Sequence, residues 1–273
     1  MDLRGKTVLV TGSTDGLGRV VALRLARAGA NVLTHGRNAE RGGALLAELR
    51  TAGDGKNVFY KADFSSLAEV RRLAADVQRD HPRLDVLVNN AGIGSGPEIK
   101  RRAESADGFE LRFAVNYLSG FLLSYLLLPT LLKSAPARIV NVSSVGQEAI
   151  DFDDVMLERA YDGGRAYRQS KLAQVLFTID LAQELAGKNV TVNSLHPSTF
   201  MNTTMVRQMG REPTSTVDQG ADAVMDLISS DVLANESGLF FNVQQESRAD
   251  PQAYDAEARR KLRALSKQLT GLA

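Results

Sequence analysis

The 273-residue sequence has no cysteine, only three histidines, a formal net charge of just +1 and no internal repeat. Without cysteine there is no disulfide, thiolate nucleophile, iron–sulfur cluster or cysteine-ligated zinc. His35, His81 and His196 lie far apart, with no metal-ligand spacing between them, so no metal is expected. Near-neutrality argues against binding nucleic acid or a membrane surface through charge. The apolar stretch from Leu118 reaches Leu132 and stops at Lys133, short of the roughly 20 residues a bilayer-spanning helix needs. A helix buried on a sheet or at a subunit interface is expected there instead. The start, Met1-Asp2-Leu3-Arg4-Gly5-Lys6, lacks the apolar centre of a signal peptide, and a cytoplasmic protein is expected. No low-complexity tract or long linker divides the chain, so residues 1–273 read as a single domain.

What is present is a regular alternation. Short β-branched runs at 7–10, 31–34, 57–61, 84–89, 137–143 and 190–196 read as strands, with 238–243 as a further candidate. Between them, 19–28, 39–52, 67–79, 109–132 and 166–186 read as helices. Each crossover helix must pack back on the sheet, which predicts an α/β, doubly wound parallel sheet of Rossmann type with helices on both faces. Ligands of such sheets bind beyond the carboxyl ends of the strands, where the strand order switches.

The first strand runs into Thr11-Gly12-Ser13-Thr14-Asp15-Gly16-Leu17-Gly18 and then into a helix. Glycines let the backbone approach a pyrophosphate, and the helix amides and dipole favour its negative charge. Three residues separate the first two glycines, which departs from G-x-G-x-x-G. Much later, Tyr167 and Lys171 stand four apart on a predicted helix and so share a face. A unit cation about 5 Å from a phenol, at an effective dielectric near 20, contributes roughly 3 kcal/mol, or about two pKa units downward. Such a phenol is a useful acid for carbonyl reduction, and its phenolate a base for alcohol oxidation.

The glycine turn, Asn89-Asn90-Ala91-Gly92, Asn116, Ser143-Ser144 and Tyr167-x-x-x-Lys171, in that order, resemble the short-chain dehydrogenase/reductase family. The run Arg138-Ile-Val-Asn-Val-Ser-Ser144, Ser170-Lys-Leu-Ala173 and the long segment between Ser144 and Tyr167 resemble its retinol-dehydrogenase-like branch. The resemblance implies a catalytic set of Asn116, Ser144, Tyr167 and Lys171. Tyr167 would exchange the proton and Ser144 would steady the developing oxyanion, with a backbone role for Ser143. Lys171 would also hold ribose hydroxyls, and Asn116 a water on a proton path to the lysine; a helix-kink role bonded to backbone is the alternative for Asn116. The cofactor set implied is Gly12, Ser13, Asp15, Gly16, Leu17, Gly18, Arg37, Asp63, Phe64, Asn90, Ala91, Gly92, Tyr167, Lys171, Pro197, Ser198 and Thr199. Asp63 either meets the adenine or caps the next helix, as Ser65 or Ser66 could. Asn90 and its neighbours either support the ribose or stabilise the sheet. After Pro197 the family usually has glycine, where this chain has Ser198; a Thr199 hydroxyl near the nicotinamide amide is still expected.

At 34–38 the chain reads Thr-His-Gly-Arg-Asn. An acidic residue there would bind the free ribose hydroxyl of NAD, whereas Arg37 suits the phosphate of NADP(H), with Asp15 as an opposing charge. Loops at 93–102, 145–164 and 199–213 should choose the substrate. The last carries Phe200, Met201, Met205, Val206 and Met209, as a lid over a hydrophobic carbonyl or alcohol would. Tyr161 and Gln147 are candidates to face the same pocket. The 118–132 and 166–186 helices resemble the family's pairing surfaces, implying a homodimer or homotetramer, and the basic run 259–263 reads as a solvated helix face. Two other functions are compatible with the same loop: a catalytically silent NADP-binding sensor or scaffold, which would not need the Tyr–Lys pair, and reduction of an activated carbon–carbon double bond.

Overall fold

The computed structural model describes residues 1–96 and 100–272. Its strands are β1 (Thr7–Val10), β2 (Asn31–Gly36), β3 (Val58–Lys61), β4 (Val86–Asn89), β5 (Ala137–Val142), β6 (Val190–His196), β7 (Phe240–Asn242) and β8 (Gln245–Ser247). They form one sheet in the order β3-β2-β1-β4-β5-β6-β7-β8. Every pairing is parallel except that of β7 with β8. The order reverses between β1 and β4, paired Val8↔Val86 through Val10↔Val88, and this opens a crevice at the carboxyl ends of those strands.

The helices are α1 (Gly16–Arg27), α2 (Ala39–Ala52), α3 (Leu67–Asp80), α4 (Ser119–Lys133), α5 (Gly163–Glu184), α6 (Thr204–Gln208), α7 (Val217–Ser229) and α8 (Ala256–Thr270). Alternate residues of each strand point to opposite faces, and both faces are apolar. Leu9, Leu33, Leu87, Ile139 and Val192 join the core under α3, α4, α5 and α8. Val8, Val10, Val32, Val86, Val88, Val140 and Leu195 join the core under α1, α2 and α7. The doubly wound α/β arrangement expected from the sequence is present, with one antiparallel strand added at its edge.

Three departures bear on the site. Strand β2 runs two residues past its expected end, because His35 and Gly36 pair with Tyr60 and Lys61 of β3. Helix α1 starts at Gly16 rather than Arg19, with the Asp15 carboxylate accepting from the Gly16 amide as its cap. The 109–132 helix is α4 preceded by a π-helical turn, Phe113–Leu118. Together they make a 21-residue helical run whose most apolar 18-residue window has mean hydropathy 1.5, long and apolar enough to cross a membrane, contrary to the shorter length read from the apolar residues. Within the fold, 61% of its most apolar window is buried. Phe121 meets Phe177 at 5.2 Å and Tyr117 meets Ser266 of α8 at 2.7 Å, so α8 covers the aromatic cluster between α4 and α5.

Candidate active site

A cavity of about 610 Å³ opens at the carboxyl ends of the parallel strands. The glycine turn forms one wall. Gly12 has φ +63, and a Cβ on it would lie 2.7 Å from the Ala91 Cα, so neither the backbone angle nor the space admits a larger residue. The Thr11 hydroxyl accepts from the Asn90 and Ala91 amides at 2.9 and 3.0 Å, and the Asn90 carboxamide donates to the Thr11 and Gly12 carbonyls at 2.8 and 3.2 Å. Asn90 thus clamps the turn to the end of β4 while also lining the cavity. Gly12, Asp15, Gly16, Leu17, Gly18, Ala91 and Gly92 line it too. Ser13 does not; its hydroxyl is buried and accepts from the His35 amide at 2.9 Å, so it ties the turn to β2.

Beyond the turn, Arg37 and Asp63 reach the cavity, their side chains 3.9 Å apart. Asp63 accepts from the Ser65 amide, while Ser66 caps α3, so the helix-capping alternative for Asp63 does not hold. Phe64 lines the same region and stacks on His35, the ring centres 4.1 Å apart. Two cavity residues here escaped the sequence reading. Arg41, in the first turn of α2, lies 3.5 Å from the Asp15 carboxylate. His35 accepts from the Gly12 amide at 3.1 Å through Nδ1 and contacts the Ala62 carbonyl through Nε2. Burial pushes its pKa down to about 4, which keeps it neutral. The signal for Arg41 was its place four residues after Arg37, behind the helix cap Asn38.

Ser144, Tyr167 and Lys171 meet on the opposite wall. Ser143, its neighbour, donates to the Lys171 carbonyl at 2.7 Å and anchors α5 to the end of β5. Ser144 lines the cavity beside Tyr167, and its oxygen accepts from the Gly146 amide at 3.0 Å. The Lys171 ammonium sits 5.7 Å from the centre of the Tyr167 ring. The expected downward shift of the phenol is overturned in this state. Burial raises the Tyr167 pKa, the nearby Ser144 hydroxyl only partly opposing it, and burial also drives Lys171 down to about 7. Spacing alone treats the pair as solvated, whereas Lys171 is buried and Tyr167 is part-buried in the cavity wall, and each loses hydration that favours its charged form.

Asn116 does not line the cavity. It is buried in the π-helical turn, accepts from the Ile93 amide at 2.7 Å, and donates to the Ile93 carbonyl at 3.1 Å and to Ser170 at 2.9 Å. These are the backbone bonds of the helix-kink alternative, and they place its oxygen beside Gly92, where a Cβ would be 3.3 Å from it and 3.7 Å from the Lys171 nitrogen. Pro197, Ser198 and Thr199 complete the far wall. Ser198 is not among the residues with positive φ, so this backbone does not require the missing glycine; Phe200, with φ 43, takes the left-handed turn instead. The Thr199 hydroxyl is bonded to His196 at 3.0 Å.

Phe200, Met201, Met205, Val206 and Met209 line the mouth, α6 carrying Met205 and Val206. Met205 and Met209 close on Gly94, where a Cβ would fall 3.0 and 3.2 Å from them. Tyr161 and Gln147 lie outside the cavity lining. Tyr161 is held by Glu110 and Arg112, and Gln147 by the Ser144 carbonyl and the Asp250 amide, so hydrogen bonding turns both away. Among the described residues no cluster of potential metal ligands occurs.

Residues 6–214 match the model of the short chain dehydrogenase family. Human retinol dehydrogenase 14 is 39% identical to the chain, over 99% of the chain and 88% of its own length. Human retinol dehydrogenase 13 is also 39% identical, over 98% and 85%. Among solved structures, an uncharacterised protein from Mycobacterium paratuberculosis superposes with a TM-score of 0.80 at 32% identity, covering 99% of this chain and 96% of that one. The Pseudomonas aeruginosa RhlG/NADP active-site complex superposes with a TM-score of 0.73 at 31% identity, covering 89% and 96%. The chain therefore belongs to the short-chain dehydrogenase family, in its retinol-dehydrogenase-like branch, and is a nicotinamide-dependent oxidoreductase acting between alcohols and carbonyls.

Proposed function

We propose that the protein uses NADP(H) to interconvert a hydrophobic carbonyl compound and its alcohol, with Tyr167 as general acid and base. The observation that carries this reading is one continuous cavity. It runs from Arg37 and Arg41, past the glycine turn, to Ser144, Tyr167 and Lys171, and ends under the methionine-rich segment after Pro197. The residues present suit a dinucleotide: the backbone at Gly12 and Gly18 is bare, α1 points its amides at the turn, and two arginines wait where a ribose phosphate would lie. When bound, such a cofactor supplies the hydride.

Tyr167 and Ser144, which share one wall of the cavity, converge on the substrate oxygen. In reduction Tyr167 gives that oxygen its proton, and in oxidation it takes the proton back, while Ser144 donates to the oxygen as charge develops on it. Lys171 favours the phenolate through its charge and is held by neighbours that carry none. Asn116 acts from behind, fixing Ile93 and Ser170, the residue before that lysine. Met205, Met209 and Val206 supply an adaptable apolar wall for the substrate. Retinol, named for the human relatives, is one member of the apolar class that such a wall accommodates.

Titration with NADPH and NADH, followed by nicotinamide fluorescence, tests the cofactor assignment; NADPH should bind more tightly, and binding of neither refutes it. An NADPH-consumption screen over retinal, steroid ketones and other apolar carbonyls then separates an enzyme from a silent sensor. Consumption of enones without alcohol formation would favour double-bond reduction instead.

A further inference from the structure

Lys171 is 5% exposed and has no carboxylate within ion-pair distance among the described residues. An ammonium carries three N–H donors. One goes to the carbonyl of Val142, the last residue of β5, at 2.9 Å, and one to Oε1 of Gln174, a turn further along α5, at 3.0 Å. The titratable groups facing it are Tyr167 from its own helix and His196 from β6, whose pKa falls to about 4 through burial and then through the lysine's charge. Asn116 from the π-helical turn and Gly92 from the loop after β4 bring no charge.

Gln174 is itself 4% exposed, and its main chain joins a buried run of polar groups. Its main-chain carbonyl accepts from Thr178 at 2.8 Å, Thr178 accepts from Asn141 of β5 at 2.8 Å, and Asn141 accepts from Asn89 of β4 at 2.8 Å. A buried polar chain thus crosses two central strands and ends beside the lysine. Cores exclude such groups unless they are partnered, and each link of this chain is, although Oδ1 of Asn89 at its far end accepts no hydrogen bond among the described residues.

We propose that Gln174 is a positioning residue for the reaction: with Val142 it occupies two donors of the Lys171 ammonium, leaving the third for the cavity beside Gly92. The proposal rests on the reading of Lys171 as the cation that serves Tyr167 and the cofactor ribose. The amide is suited to this because it accepts a hydrogen bond without bringing a negative charge. A carboxylate at the same position would cancel the field that favours the Tyr167 phenolate, and an apolar side chain would leave the ammonium short of a partner.

The test is the pH dependence of NADPH affinity, read by nicotinamide fluorescence between pH 5 and 10, for the wild type and for Lys171→Met, Gln174→Met and Gln174→Glu. Burial brings the Lys171 pKa to about 7, so wild-type affinity should fall as pH rises through that region. Gln174→Met keeps the volume but removes the acceptor, and should move this limb to lower pH by about one unit, a tenfold change in the protonation constant. Gln174→Glu should move it to higher pH by a similar amount and raise the alkaline limit of turnover in step. A packing role alone moves neither limb. If Lys171→Met removes the limb while both Gln174 variants keep it at the wild-type pH, the role of Gln174 is overturned and that of Lys171 stands. If Lys171→Met binds NADPH with the wild-type profile, or the wild type does not bind it, both fall. Melting temperatures measured alongside identify any variant that is merely unfolded, and Gln174→Glu, which keeps the acceptor, supplies the second reading.

Discussion

Replacing Arg37 with alanine should narrow the preference for NADPH over NADH without disturbing the fold. The side chain is 67% exposed, at the rim of the cavity, with the Asp63 carboxylate 3.9 Å away. Two unit charges 4 Å apart are worth about 1 kcal/mol in water and about 4 kcal/mol at a dielectric of 20. Exposure places Arg37 near the lower figure, and Asp63 already claims part of its field. A ribose phosphate that gains about 1–2 kcal/mol from Arg37 binds roughly 5- to 30-fold more tightly because of it. Arg37→Ala should therefore weaken NADPH by about tenfold and NADH by less than about twofold, the difference shrinking as salt rises. Arg41 is 60% exposed and already engaged with Asp15 at 3.5 Å, so Arg41→Ala should cost less. Asp15→Asn should free Arg41 and tighten NADPH about threefold, because a charge opposing the phosphate is removed. Fluorescence titration of each variant with both cofactors at low and physiological salt checks all of this. Equal affinity of the wild type for the two cofactors, or equal loss of both in Arg37→Ala, refutes the reasoning.

Gly18→Ala should weaken NADPH binding at least about tenfold and destabilise by about 1–3 kcal/mol, since its Cβ would lie 2.5 Å from both Nδ2 of the Asn90 side chain and the Gly12 carbonyl oxygen; equilibrium urea unfolding and titration measure the two effects. Phe121, 1% exposed within the aromatic cluster, should cost about 3–5 kcal/mol when cut to alanine, seen as a lower urea midpoint. His35 has a folded pKa near 4 against an ordinary 6.5, so the unfolded chain binds the extra proton between those values. Stability should accordingly fall as pH drops from 6.5 to 4, by up to about 3 kcal/mol from this group, and be flat with respect to it above 6.5. His196, also held near 4, contributes a similar slope, so His35→Gln should reduce the acid slope in melting curves without abolishing it, and an unchanged slope would remove His35 as a source.

Where spacing along the chain carries the chemistry, the sequence was readable. The glycine turn follows a strand and opens a helix, and Tyr167 and Lys171 stand one helical turn apart, so both could be placed before any coordinates. Ser144 was distinguishable from Ser143 only through the family resemblance; in the structure both line the cavity, and the Ser143 hydroxyl is turned to the Lys171 carbonyl. Features set by distant partners were not readable. The extra length of β2 depends on pairing with β3, and the contacts of His35 depend on the Gly12 amide and Phe64. The π-helical turn that carries Asn116 follows no 3.6-residue period. Helix α7 was missed despite a legible start, the capping box of Thr216 with Gln219. Helix α8 presents Ala258, Arg259, Leu262, Ser266 and Thr270 to the core, a stripe too polar to read as buried, and Arg259, bonded to the Ala253 carbonyl, departs from the solvated face expected for 259–263. Burial reversed the expected titration of Tyr167, because spacing reveals proximity but not loss of water.

The most direct test of the whole account is turnover of all-trans-retinal and a panel of apolar ketones by the wild type and Tyr167→Phe, with NADPH binding measured on the same preparations. The account predicts alcohol formation by the wild type, a loss of roughly 10²–10⁴ in turnover for Tyr167→Phe, and NADPH affinity within about twofold of the wild type. Undiminished turnover in Tyr167→Phe would contradict it.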